Sequence, residues 1–209
     1  MELTAMKTRK KQVDDRGFTL LELLMAMTIM LLVMSAIYST FQSQTRSWVT
    51  QQEIANMQQN LRAGMYYLER SIRMAGYDPS DAKIFGFVSN FPSPYNGVNA
   101  TTDSDDIAFT VDINADKTID NNADELVAYR LNNLNELQVF TIDAGGAGIW
   151  QVIANNISGL TFTYLDASNN VTSTLANIRT VQITMTAQSS KASVTSTRSI
   201  TSRVRCRNI

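Results

Sequence analysis

The sequence predicts an α+β fold in which one long N-terminal helix packs on an antiparallel β-sheet head. Three observations predict it. A helical pattern runs without proline from about residue 18 to residue 75. Gly76 and Pro79 then end it, glycine as a C-cap and proline as a residue that cannot continue a helix. Seven short strand-like runs follow, separated by turns rich in Asn, Asp and Gly. Strands that follow a helix, instead of alternating with helices, are the order of an α+β domain.

The helix has two halves. Between residues 18 and 41 the only charged side chain is Glu22, and the run is long enough to cross a bilayer as a helix. Just upstream, Lys7, Arg9, Lys10, Lys11 and Arg16 outnumber Glu2, Asp14 and Asp15, which places the basic flank on the cytoplasmic side. A cleaved secretory signal fits poorly, because the apolar run is long and no small-residue cleavage site closes it. In the second half, Ile54, Met57, Leu61, Met65, Leu68, Ile72 and Ala75 recur at spacings of three and four, with Gln51, Gln52, Glu53, Gln58, Gln59, Arg62, Glu69 and Arg70 between them. That is a stripe on one face, and it needs another surface to cover it.

The strand-like runs supply that surface. They fall at residues 106–113, 125–131, 136–142, 150–154, 160–166, 177–187 and 193–206. Val181, Ile183 and Met185 alternate with Gln182, Thr184 and Thr186, the period of a half-buried strand. "LNNLNE" reads as a tight hairpin connection and "DAGGAG" as a flexible one. The connection over residues 77–102 carries all three prolines, and its length marks it as a functional loop or an ordered cover over the sheet. The expected divisions are therefore residues 1–17, 18–75 and 76–209.

Composition removes several function classes. The chain has no His, and its single Cys206 cannot form an intramolecular disulfide or a thiolate metal cluster. Without His a hydrolase triad is unavailable, and no glycine-rich phosphate loop is present. The net charge of −1 gives no basic signature for nucleic acid. An enzyme is not expected. Arg203, Arg205 and Arg207 flank Cys206, but strand alternation places them on the opposite face, so the cysteine reads as a small buried residue.

The stretch Arg16-Gly17-Phe18-Thr19-Leu20-Leu21-Glu22-Leu23 resembles the class III signal of type IV prepilins and type II secretion pseudopilins. In the head, "NNISGLTFTYLD", "NIRTVQITMTAQS" and "SRVRCRNI" are similar to PilW-type minor pilins, with kinship to J-type pseudopilins. The resemblance implies a pilin-like architecture and cleavage after Gly17 by a prepilin peptidase, with N-methylation of the new terminal Phe18. Residues 18–41 would be transmembrane and then form filament core. Phe18, Thr19 and Glu22 would set subunit registry, with Glu22 pairing to a neighbour's terminal amine. On that reading the chain starts in the inner membrane, leader cytoplasmic and head periplasmic, and moves into a surface filament. Partners would be the peptidase, other minor and major pilins, the inner-membrane assembly platform and membrane lipid. A carboxylate snorkelling to the interface is the plainer account of Glu22. A type II secretion pseudopilin, or an adhesin-like pilin with a ligand-binding head, are the rival functions.

One further motif stands in the head. Asp112, Asn114, Asp116 and Asp120 fall at the first, third, fifth and ninth places of a calcium loop, with Ile119 at the eighth. Lys117 replaces the usual glycine at the sixth place, and Asp124 would have to serve late as the last ligand. Calcium is thus a candidate cofactor, and a solvated Asn/Asp turn is the alternative.

Overall fold

The computed structural model of the chain describes residues 17–95, 100–120, 125–143, 145–191 and 195–209. They fall into two compact units, one ending at Trp48 and one from Val49 to Ile209, each taken here by itself. Helix α1 (Leu20–Met74) runs through as a single element of 55 residues. It starts after the expected residue 18 because Gly17, Phe18 and Thr19 are non-helical. It ends where expected: Gly76 adopts φ +70°, Tyr77 N donates to Met74 O, and Gly76 N donates to Thr110 O. A Cβ on Gly76 would meet Ile209 Cγ1 at 2.5 Å, so the position needs glycine for conformation and for space.

In the first unit the α1 side chains from Leu20 to Phe41 are all exposed. This part of α1 is long and apolar enough to cross a membrane. Three of its hydroxyl side chains bond back within the helix. Thr28 donates to Leu24 O at 2.8 Å, Ser35 to Leu32 O at 3.0 Å and Thr40 to Ala36 O at 3.0 Å. Each hydroxyl is absorbed by a carbonyl of the preceding turn, which makes it tolerable in hydrocarbon.

In the second unit α1 turns one face inward. Met57, Leu61, Met65, Leu68, Ile72 and Ala75 are buried, as the three-four spacing predicts, Ile54 is partly buried, and Gly64 joins the buried face. Burial of each large member stabilises the fold by roughly 2 kcal/mol. Glu53 departs from expectation. Its spacing places it on the polar side, yet it is 4% exposed, accepting from Ser190 Oγ at 2.9 Å and Ser189 Oγ at 3.3 Å, with Lys191 Nζ at 3.5 Å. A carboxylate can be buried there because three donors from one distant loop meet it.

The seven expected strand runs appear among the described residues as β1 (Ile107–Thr110), β2 (Leu126–Leu131), β3 (Leu137–Ile142), β4 (Gly148–Ala154), β5 (Ile157–Leu165), β6 (Thr180–Gln188) and β7 (Thr197–Arg205). All neighbouring pairs are antiparallel, but they form two sheets, ordered β1-β2-β3-β4 and β5-β6-β7. The break falls at Asn156, whose φ of +61° turns the chain out of the first sheet. Ile157 N then donates to Asn135 O, and Gln188 N to Asn156 O, tying the second sheet to the first.

Both sheets meet the helix at Gly64. A Cβ there would lie 2.9 Å from Leu137 Cδ2 on β3 and 3.2 Å from Met185 Cε on β6. Along β6, Val181, Ile183, Met185 and Ala187 point into this core while Thr180, Gln182, Thr184 and Thr186 stay partly exposed. The described residues of the connection after α1 form an ordered cover. Phe91, Tyr95 and Ala100 bury themselves against Ala108, Leu126, Ala128 and Phe140 as a second, smaller core. The described residues of "DAGGAG" are pinned rather than loose, because Asp143 Oδ1 accepts from Gly145 N at 2.9 Å and Ala147 N at 2.8 Å.

Candidate functional site

The expected processing site lies just before α1. Gly17 has open space around it, with nothing within 4 Å of a built Cβ, and Phe18 is 91% exposed. The peptide bond between them is therefore on non-helical, accessible backbone, the form a peptidase needs. Residues 1–16, the remainder of the expected leader, lie outside the described residues.

Thr19 and Glu22 are brought together by a capping box. Thr19 N donates to Glu22 Oε2 at 2.9 Å, Thr19 Oγ1 donates to the same oxygen at 2.9 Å, and Glu22 N donates back to Thr19 Oγ1 at 3.3 Å. The reciprocal bonds satisfy two backbone donors that the first turn of any helix leaves unpaired. They also hold Glu22 on the α1 terminus by its own chain. The sequence carries the signature of this arrangement, threonine followed three residues later by glutamate before an apolar run. Both bonding residues lie C-terminal to the Gly17–Phe18 bond, so removal of a leader leaves the box whole.

The aspartate-rich segment forms a self-bonded turn. Asp112 is fully buried, accepting from Ala115 N at 2.7 Å and Ser80 Oγ at 2.6 Å. Asn114 points its amide nitrogen at Asp116 Oδ2 (3.0 Å) and Asp120 Oδ2 (2.9 Å), and Asp116 Oδ1 accepts from Thr118 N and Thr118 Oγ1. Asp120 N donates to Glu125 Oε2 at 2.8 Å. Ala115 and Lys117 both take positive φ, +63° and +69°. The four described candidates thus share one loop, in which Asn114 Nδ2 bridges Asp116 and Asp120 while Asp112 is held by Ala115 and Ser80. Among the described residues no group of three or more His, Cys, Asp or Glu is arranged to hold a metal. Asp124, the fifth candidate, lies outside the described residues.

Among the shifted titratable groups of the head, Asp106 and Cys206 are both raised by burial. Burial, with Asp103 beside it, pushes the Asp106 carboxyl up to about 6. Burial pushes the Cys206 thiol up to about 11, against a weaker opposite pull from Arg179, so the thiol is protonated and inert near neutrality. Cys206 is buried, as strand alternation requires.

Comparison with known proteins bears on both ends of this picture. Residues 14–38 match the prokaryotic N-terminal methylation motif, which spans Gly17, the capping box and the apolar start of α1. Residues 50–206 match the family described as prepilin peptidase-dependent protein B, which takes in the head half of α1 and all seven strands. No curated protein matches the chain. The matched families are structural, not enzymatic. A methylation motif on an exposed apolar helix, continued by a head that matches over three quarters of the chain, leads to one conclusion: the protein belongs to the prepilin peptidase-dependent protein B family, of type IV pilin-like architecture.

Proposed function

We propose that the chain is a minor type IV pilin of the PilW kind, which primes filament assembly or enters the filament as a structural subunit. A prepilin peptidase removes residues 1–17 at the cytoplasmic face of the inner membrane, and Phe18 becomes the methylated terminus. The head then stands in the periplasm, where it contacts other minor and major pilins and the assembly platform.

The observation that carries this reading is the first unit of α1. Every side chain from Leu20 to Phe41 is exposed, and the one carboxylate among them sits in the first turn. Lipid can cover that surface before assembly, and neighbouring helices can cover it afterwards. A carboxylate in hydrocarbon costs several kcal/mol unless paired. Thr19 engages only Oε2 of Glu22, which leaves Oε1 available for the ammonium of Phe18 on a neighbouring subunit. The pairing would form only in one axial register, so it would favour insertion at the correct height.

Two substitutions separate pairing from capping. Glu22→Ala removes both, whereas Glu22→Gln keeps a capping acceptor and loses the charge. In cells that assemble filaments, both variants should be cleaved normally, and both should enter filaments at least about tenfold less than the unaltered chain. Normal incorporation of Glu22→Gln would refute the pairing role and leave Glu22 as a helix cap.

A further inference from the structure

The sheet β5-β6-β7 turns Val181, Ile183 and Met185 to the core, and the alternate residues form its outer face. On that face, side chains line up in rungs across the strands. Thr163, Gln182 and Arg203 form one rung, Thr161, Thr184 and Thr201 the next, and Thr186 and Ser199 a third. The β7 members are exposed and the β6 members partly exposed. Arg203 Nε donates to Gln182 Oε1 at 2.7 Å, the Thr184 and Thr201 hydroxyls lie 3.2 Å apart, and those of Thr186 and Ser199 lie 3.0 Å apart. The three strands contain no Asp or Glu, whereas β7 carries Arg198, Arg203 and Arg205.

At one end this face opens into a cleft of about 890 Å³, where Arg73, Arg179 and Arg207 join Arg203 and Arg205. Among the described residues lining the cleft the only acid is Asp166, whose Oδ1 already accepts from Ser168 N at 2.8 Å and Asn170 N at 2.9 Å. Arg179 is pinned by its bonds to Ala176 O and Ile178 O, both at 2.8 Å. Of the five arginines, Arg73 alone has a carboxylate partner among the described residues, Glu69 at 3.6 Å. The cleft thus concentrates forked donors with little anion of its own to satisfy them. A strand face kept only for solubility mixes both signs of charge. This one sets arginine beside neutral hydroxyls and an amide.

We infer that this face of the head binds an acidic polysaccharide, a chain of carboxylated sugars. Guanidinium forks in the cleft take the carboxylates two bonds at a time, and the Thr, Ser and Gln rungs exchange hydrogen bonds with the sugar hydroxyls. A nucleic-acid backbone also suits arginine, but its binding rests on a basic field over the domain and on aromatic platforms for the bases. The chain has a net charge of −1, and no aromatic side chain lines the cleft or stands in the rungs. The site lies within the head and does not need cleavage at Gly17, so its failure would leave the pilin reading untouched.

The test is titration calorimetry on the full chain in uncharged detergent micelles, at about 20 mM NaCl so that charge is little screened. The probes are a trimer of galacturonic acid, a trimer of galactose and a single-stranded oligonucleotide of the same charge as the acidic trimer. The acidic trimer should bind at least about tenfold more tightly than the neutral one. Arg203→Ala with Arg205→Ala should remove that preference. Thr184→Val with Thr201→Val, which keeps the branched shape and loses the hydroxyls, should weaken binding of the acidic trimer about threefold. Equal affinity for the two sugars, or no effect of the arginine pair, would overturn the inference. So would an oligonucleotide bound as tightly as the acidic trimer. Should the arginine variant fold poorly, Arg205→Lys decides, because it keeps the charge and loses the fork. A preference unchanged by that substitution would equally overturn the inference.

Discussion

At the scale of single residues, several costly groups meet a specific partner, near or distant in sequence. Glu22 meets Thr19 within its own first turn, Glu53 meets three donors from one loop, and Thr28 and Thr40 bond back to their own helix. Asp106 is the exception with a measurable consequence. Its folded-state carboxyl titrates at about 6, above the ordinary aspartate value, so the folded state holds a proton that the unfolded chain releases earlier. Stability supplied by the protonated form is therefore present at low pH and is lost as pH rises from about 4 to about 6. The group is half exposed, so solvent screening limits the effect to the order of 1 kcal/mol. Asp106→Asn should raise the melting temperature more at pH 7 than at pH 4. Equal shifts at both pH values would show that Asp106 is not shifted in the folded head.

At the scale of elements, the most constrained contact is α1 at Gly64. Glycine inside a helix costs about 1 kcal/mol relative to alanine, and the fold accepts that cost because Leu137 and Met185 close on the position from two different sheets. Gly64→Leu should destabilise the head by about 2–3 kcal/mol through overpacking, read as a lowered midpoint in urea unfolding. An unchanged midpoint would mean that helix and sheets separate more easily than this packing indicates. The aspartate-rich turn makes a second prediction. With Asn114 donating to Asp116 and Asp120, about 1 mM calcium should leave the melting temperature within roughly 1 °C. A rise of several degrees, reversed by a chelator, would show that calcium displaces those bonds and recruits the loop's oxygens.

Much of the element order was legible in the sequence because it rests on local periodicity. The three-four stripe from Met57 to Ile72 and the alternation along β6 each specify a face without knowledge of the partner. What escaped depends on partners distant in sequence. Glu53 looks polar-side by spacing, and its burial follows from Ser189 and Ser190, 136 and 137 residues away. The division into two sheets hangs on the left-handed backbone of Asn156, which no period-two pattern reports. In the candidate site, Glu22 stands out because it interrupts an apolar run, whereas Gly17 and Phe18 are marked by the resemblance to class III prepilin signals. The role of Thr19 as a cap was present in the same eight residues but was masked by the intermolecular reading of Glu22.

At the scale of the whole molecule, the two units divide the work. The first supplies an apolar helix with one placed carboxylate, and the second supplies a head whose core is independent of that helix's exposed surface. Membership of a prepilin peptidase-dependent family joins them, since the same chain carries both the methylation motif and the matching head. The account rests on cleavage after Gly17, and one measurement reaches it directly. Co-expression with a prepilin peptidase, followed by intact-mass spectrometry of the purified chain, should give a single species lacking residues 1–17 and carrying one added methyl group on Phe18. A chain that keeps residues 1–17 in the presence of active peptidase would contradict the account.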